Sequence, residues 1–88
     1  MAATTGSRSR SVKVRYFALL KEERGLAEET IETRAESIAD LYKELQARHK
    51  FALRAEQLRV AVGDDFVDFS SPLNDDDVII FVPPVAGG

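Results

Sequence analysis

The sequence predicts an α+β domain in which a mixed sheet packs on one main helix, and three patterns carry that expectation. Val12, Val14 and Tyr16 alternate with Lys13, Arg15 and Phe17, and Leu58, Val60 and Val62 repeat the alternation later, which is the period of strands with one buried face. Between them Ile38, Leu41, Tyr42 and Leu45 recur at helical spacing, with Lys43, Glu44, Gln46 and Arg48 outside the stripe, so one face of a helix is apolar. Near the end Val78-Ile79-Ile80-Phe81-Val82 is continuously apolar, as expected of a strand covered on both sides or central in its sheet. At 88 residues the chain has the size of one small domain, with room for one core and no deep enzyme pocket.

In chain order, residues 1–11 are small, polar and Arg/Ser-bearing, and are expected to form a disordered extension because they bring too little apolar surface to offset the entropy of ordering. The folded domain is expected over residues 12–82. Its first strand starts at Val12, and Ala18 to Arg24 reads as one or two helical turns ended by Gly25 at C′. Glu28 to Thr33 alternates more weakly and is assigned to an edge strand beside the first. Ser37 is placed as the N-cap of the main helix, with Asp40 adding negative charge near the positive end of its dipole. Gly63-Asp64-Asp65 marks a turn between the strand at Leu58–Val62 and a partner holding Phe66, Val67 and Phe69. Ser71-Pro72 and Asn74 to Asp76 mark a surface turn before the last strand, which Pro83 and Pro84 end because neither has an amide for a sheet ladder. One helix among strands in this order is the plan of a β-grasp domain; periodicity alone does not fix the strand order.

Composition narrows the function. A net charge of −3 argues against a nucleic-acid partner, which would call for clustered Lys and Arg. There is no cysteine, so disulfides, cysteine-based zinc sites and persulfide chemistry on this chain are excluded. No apolar run approaches the roughly 20 residues of a membrane span, and no apolar signal region follows the early basic residues, so the expected location is the cytoplasm, away from membranes. His49 is read as structural, favoured as a cation near a helix end, and Asp75-Asp76-Asp77 as turn chemistry, since it lacks the alternate spacing and following glycine of a calcium loop. No metal ligand set, P-loop, nucleophile elbow or dinucleotide-binding glycine pattern is present.

What remains is the segment 83–88, Pro83-Pro84-Val85-Ala86-Gly87-Gly88, read as an extended functional tail. With glycine at about 7% of residues, a Gly-Gly ending arises by chance roughly once in 200 sequences. Two prolines hold the exit extended, and such a segment reaches on the order of 18 Å. They also lower the entropy lost on insertion into a partner, which otherwise runs at about 1–2 kcal/mol per residue. Gly87 and Gly88 carry no Cβ, so a narrow channel would admit the carboxylate end. A carboxylate is a poor electrophile, so acyl transfer from Gly88 requires activation, for example as an acyl-adenylate. Read alone, the tail is also compatible with a frayed end of small residues.

Val12-Lys13-Val14-Arg15-Tyr16-Phe17-Ala18, Pro72-Leu73-Asn74-Asp75-Asp76-Asp77-Val78 and Phe81-Val82-Pro83-Pro84-Val85-Ala86-Gly87-Gly88 resemble the small, sulfur-carrier subunits of molybdopterin synthase, over about Val12 to Gly88. The resemblance implies a ubiquitin-like β-grasp fold and a non-catalytic carrier whose Gly88 is adenylated and then thiocarboxylated, with Gly87 giving channel clearance. It implies two partners: an ATP-dependent activating enzyme that acts as adenylyltransferase and sulfurtransferase, and the large synthase subunit, where sulfur passes to cyclic pyranopterin monophosphate in molybdenum cofactor biosynthesis. By the same resemblance this chain binds no cofactor itself, ATP being used by the activating enzyme, and is a monomer when free and part of a two-plus-two heterotetramer in complex. Pro83, Pro84, Val85 and Ala86 belong to the inserting tail, and Phe17, Phe66 and Val82 occupy the family's docking patch. A thiamine-pathway sulfur carrier, a ubiquitin-related modifier that conjugates to lysines, and a plain β-grasp binding module remain as alternatives.

Overall fold

The fold is taken from a computed structural model, which describes residues 9–84. Its elements run β1 (Arg10–Tyr16), α1 (Ala18–Arg24), β2 (Glu28–Thr33), α2 (Ile38–His49), a 3-10 turn (Ala55–Gln57), β3 (Arg59–Val62), β4 (Asp65–Val67) and β5 (Val78–Val82). The five strands form one sheet in the order β2-β1-β5-β3-β4, in which only the β1–β5 pair is parallel. This is the expected α+β arrangement of a ubiquitin-like β-grasp, and it supplies the strand order that periodicity could not.

The inner sheet face and α2 enclose the core. Val12, Val14 and Tyr16 of β1, Val60 of β3, Ile79 and Phe81 of β5 and Ile38, Leu41, Tyr42 and Leu45 of α2 are all buried, joined by Leu20 of α1 and by Leu73. The Tyr42 ring lies 5.1 Å from that of Phe81 and 6.1 Å from that of Phe51, so aromatic packing ties α2 to the central strand. β5 is central, but its faces differ: Ile79 and Phe81 are buried, whereas Val78, Ile80 and Val82 are half-exposed on the outer face.

The cap read from the sequence for each helix is present, at the C-terminus of α1 and the N-terminus of α2. Gly25 adopts φ 81° and its amide donates to the Lys21 carbonyl at 2.8 Å, closing α1. The Asp40 amide donates to Ser37 Oγ at 3.1 Å, satisfying one of the free donors of the first turn of α2. Gly63, the first residue of the two-residue β3–β4 loop, has φ 61°, the sign a type II′ turn needs at that position.

The observed boundaries differ from the expected ones in two places. β1 starts at Arg10, so Arg10 and Ser11 are strand residues and not part of an extension ending at residue 11. They face Thr33 and Glu32 of β2, the Ser11 amide donates to Asp75 Oδ1 at 2.7 Å, and the Ser11 carbonyl accepts from the Asp76 amide at 2.7 Å. Backbone pairing holds them without apolar side chains. Residues 1–8 of the expected extension lie outside the described residues. β4 stops at Val67, and Phe69, expected in that strand, instead follows it and stacks on Phe81 at 6.2 Å.

The acidic run works as turn chemistry. Besides the Asp75 contact, Asp77 Oδ2 accepts from the Asn74 amide at 2.9 Å and the Asp77 carbonyl from the Lys13 amide at 2.9 Å, which pins the loop to β1. No group of acidic or histidine side chains suited to a metal ion occurs among the described residues.

Candidate functional site

The site is built around the point where β5 ends. Val82 faces Arg59 across the β3–β5 ladder and Phe81 faces Tyr16 across β1–β5, so the strand leading to the tail is held on both sides up to its last residues. Pro83 is buried and Pro84 exposed. Val85, Ala86, Gly87 and Gly88, the tail residues singled out in the sequence, lie outside the described residues.

Beside this exit is an apolar groove of about 580 Å³, lined by Phe17, Ala18, Leu19, Leu53, Val82, Pro83 and Pro84. Phe17 and Leu19 are 42% and 40% exposed, a large apolar area for a small chain to leave in water. Their outward direction has a local cause. Phe17 is the extended residue ahead of α1, on the outer side because Tyr16 before it turns inward, and Ala18 has φ 53°. A left-handed alanine costs roughly 1–2 kcal/mol, and here it stands between Phe17 and Leu19, both of which line the groove.

The structure therefore brings four expected residues, Phe17, Val82, Pro83 and Pro84, into one groove and adds Ala18, Leu19 and Leu53. Leu53 sits in the irregular segment after α2, where no periodicity marks it. Its carbonyl accepts from the Tyr42 hydroxyl at 2.6 Å and from Gln46 Nε2 at 3.0 Å, which fixes the segment against the helix. Phe66 is not in the groove. It lies two strands from β5, on β4, 59% exposed on the same outer face, with the Arg59 guanidinium 4.5 Å from its ring centroid. Arg15 lies 5.7 Å from the Phe17 ring centroid in the same way.

A charge cluster ties the last residue of α1 to β1 and β2. Arg24 donates to both carboxylate oxygens of Glu29, from Nε at 2.9 Å and from Nη2 at 2.7 Å, and the Tyr16 hydroxyl donates to Glu29 Oε2 at 2.7 Å. The Arg24 bonds hold the Glu29 carboxyl below its ordinary value, against the opposing effect of burial. Burial first, and the bond to Glu29 second, push the Tyr16 phenol far above its ordinary value. His49 lies nearby, its ring 5.6 Å from that of Phe51, and its pKa is lowered by burial and then by Arg24. The cation expected from its place near the end of α2 is disfavoured, because desolvation and a neighbouring guanidinium outweigh the helix dipole.

No described side chain at the groove is a nucleophile, an acid or a base. What the arrangement offers is a firmly held end of β5 and an apolar surface around it.

Comparison with known proteins gives a consistent set of relatives. Residues 14–88 match the ThiS family. The chain is 32% identical over 80 residues to the molybdopterin synthase sulfur carrier subunit of Escherichia coli (strain K12), a match covering 88% of this chain and 99% of that protein. Among solved structures, the putative molybdopterin converting factor, subunit 1, from Pyrococcus furiosus matches with a TM-score of 0.73 at 32% identity, covering 86% of this chain and 99% of that one. A chain in the complex of subunits 1 and 2 of molybdopterin-converting factor from Helicobacter pylori 26695 matches with a TM-score of 0.60 at 32% identity, covering 89% and 99% respectively.

Proposed function

Because the chain belongs to the ThiS family, we propose that it is the sulfur-carrier subunit of a molybdopterin synthase, with Gly88 as the acyl site and Gly87 as its clearance. The observation that carries this reading is the junction at Val82. The central strand, paired on both sides, runs straight into Pro83-Pro84 beside an apolar groove, and the sequence continues as Val85-Ala86-Gly87-Gly88 within the family match.

In this reading a Gly88 carboxylate oxygen attacks the α-phosphorus of ATP on the activating enzyme and pyrophosphate leaves. Hydrosulfide-level sulfur then attacks the Gly88 carbonyl carbon and displaces AMP to give the thiocarboxylate. The loaded tail enters the large synthase subunit, and its thiocarboxylate sulfur displaces an oxygen substituent of cyclic pyranopterin monophosphate to form an acyl thioester. Water then cleaves the acyl–sulfur bond, leaving the sulfur on the pterin and returning the carrier as carboxylate. ATP is bound by the activating enzyme, and this chain contributes position. Phe17, Val82, Pro83 and Pro84 lie in the groove nearest the tail, with Phe66 further out on the same face, so docking of a partner on that surface would aim the tail into the partner's channel. Support for the large subunit as a partner comes from the Helicobacter pylori complex of subunits 1 and 2. We place two carriers with two large subunits in the assembly, and the reaction in the cytoplasm. No helix among the described residues is long and apolar enough to cross a membrane.

The test uses the absence of cysteine. The chain is incubated with its activating enzyme, ATP and a sulfur donor, treated with a thiol alkylator, and read as intact and C-terminal peptide mass. One ATP-dependent adduct on Gly88 is expected, absent when Gly87 and Gly88 are deleted. No adduct, with the enzyme proven active on another carrier, would overturn sulfur carriage, and isopeptide adducts to lysines would reassign the chain as a modifier. Sulfur delivery to a thiazole synthase in place of the pterin-binding subunit would move it to thiamine synthesis.

A further inference from the structure

Arg59 differs from the other cations of the outer sheet face in having no anion of its own. Arg15 and Lys13 both approach Glu28, at 3.6 Å and 3.8 Å. Arg59 forms no ion pair among the described residues, and its guanidinium is stacked on the Phe66 ring. In water this is stable enough, because one side of the guanidinium stays hydrated while the ring attracts it.

Burial of Phe66 changes the balance. A surface that covers this half-exposed ring also strips water from the cation lying 4.5 Å above it. A desolvated cation is costly unless a well-placed anion meets it, and stacking on a ring returns only part of that lost hydration. We infer that the large synthase subunit docking on this face carries a carboxylate opposite Arg59, so that the contact includes an Arg59–carboxylate pair as well as apolar burial. The inference rests on the proposed reading of Phe66 as a docking residue.

The location gives the pair a role in specificity. Arg59 faces Val82, the residue before Pro83, so the anion would sit one strand from the tail exit. The guanidinium's fixed fork favours a bidentate carboxylate and sets orientation as well as attraction. A large subunit lacking the carboxylate would be rejected by the uncompensated cation, so this chain would discriminate between otherwise similar apolar partners.

The experiment measures the affinity of the full chain for its cognate large synthase subunit by calorimetry, at low and high salt, for the wild type, Arg59→Met, Arg59→Lys and Phe66→Ala. All substituted side chains are exposed, and thermal unfolding checks that the fold is kept. Arg59→Met keeps much of the aliphatic stem and is expected to weaken binding about tenfold or more at low salt and to flatten its salt dependence, with Arg59→Lys losing less. Arg59→Met binding as tightly as the wild type, or more tightly, overturns the inference, since that is the sign expected when an apolar surface simply covers the cation. Phe66→Ala separates the two levels. If it weakens binding while Arg59→Met does not, only the carboxylate is refuted. If it changes nothing, or if the wild type does not bind, Phe66 is not covered and the reading beneath the inference falls with it.

Discussion

Glu29→Gln keeps the shape of a side chain at which β1, α1 and β2 meet, and removes its charge. Glu29 accepts two hydrogen bonds from Arg24 and one from Tyr16, and the ion pair is partly shielded, with side chains 14% and 26% exposed. Breaking one side of a fully buried pair costs about 3–5 kcal/mol and an exposed pair less than about 1 kcal/mol, so the intermediate burial here suggests about 2 kcal/mol. In a domain of this size that lowers Tm by about 8–16 °C. The pH dependence is distinctive. Because the folded Glu29 pKa lies below its unfolded value near 4.5, the stabilisation is fully present above that value and is lost as pH falls through the folded pKa. Urea unfolding of wild type and variant across about pH 7 to pH 3 should therefore give curves that differ by about 2 kcal/mol at neutrality and converge in acid. His49 adds a local readout: Glu29 raises its pKa and Arg24 lowers it, so its NMR titration should move further down in the variant. A difference below about 0.5 kcal/mol at neutral pH, or one that stays constant into acid, would refute the assignment of this cluster as the charge-based lock on α1.

Phe17→Ser should leave unfolding within about 0.5 kcal/mol of wild type, since the ring is 42% exposed, yet weaken large-subunit binding about tenfold or more in calorimetry; unchanged affinity would remove Phe17 from the docking face. Ser37→Ala should cost about 1 kcal/mol in the urea assay by losing the acceptor for the Asp40 amide, with Ser37→Asn restoring most of it. Tyr16, with a folded pKa raised far above 10, contributes stability that is complete below pH 10 and declines as the unfolded state ionises above it, so Tyr16→Phe should flatten the alkaline fall followed by circular dichroism.

The parts of the fold that were legible in the sequence are those where one short-range rule decides. Alternation marked β1 and β3, helical spacing marked α2, and the unbroken apolar run marked the central strand. Gly25 and Ser37 were legible as caps because each meets a specific backbone need. The misses share a cause: partners far apart in the chain. Arg10 and Ser11 are strand residues through β2 and the Asp75–Asp76 loop, not through their own side chains. Phe69 reaches the core past the end of β4, where alternation no longer sets its direction. Leu53 enters the groove through bonds from Tyr42 and Gln46 to its carbonyl, and the Tyr16–Arg24–Glu29 cluster joins positions that look like unrelated surface charges in sequence. For the site, Pro83 and Pro84 could be named because they belong to the tail segment, and Phe17, Phe66 and Val82 through the family resemblance, while the separation of Phe66 from the others became visible only with the strand order.

The same architecture bears on why a carrier would be built this way. On the proposed reading, an acyl group activated at Gly88 must persist until it is handed on, so its own protein should offer it nothing to react with. The chain contains no cysteine, which removes the side chain best able to capture an acyl-adenylate or exchange with a thiocarboxylate. Around the tail exit the lining is alkyl, phenyl and proline ring. The polar chemistry of the corner is turned inward, where Glu29 is engaged by Arg24 and Tyr16. Rigidity is placed where inertness leaves it useful: β5 has a neighbour on each side, and Phe81, fully buried, sits one residue before Val82 and packs on Tyr42 and Phe69. β5 therefore gives whatever docks beside Pro83 and Pro84 a fixed reference, and a groove lined without a nucleophile, an acid or a base leaves any chemistry at that exit to the protein that docks there.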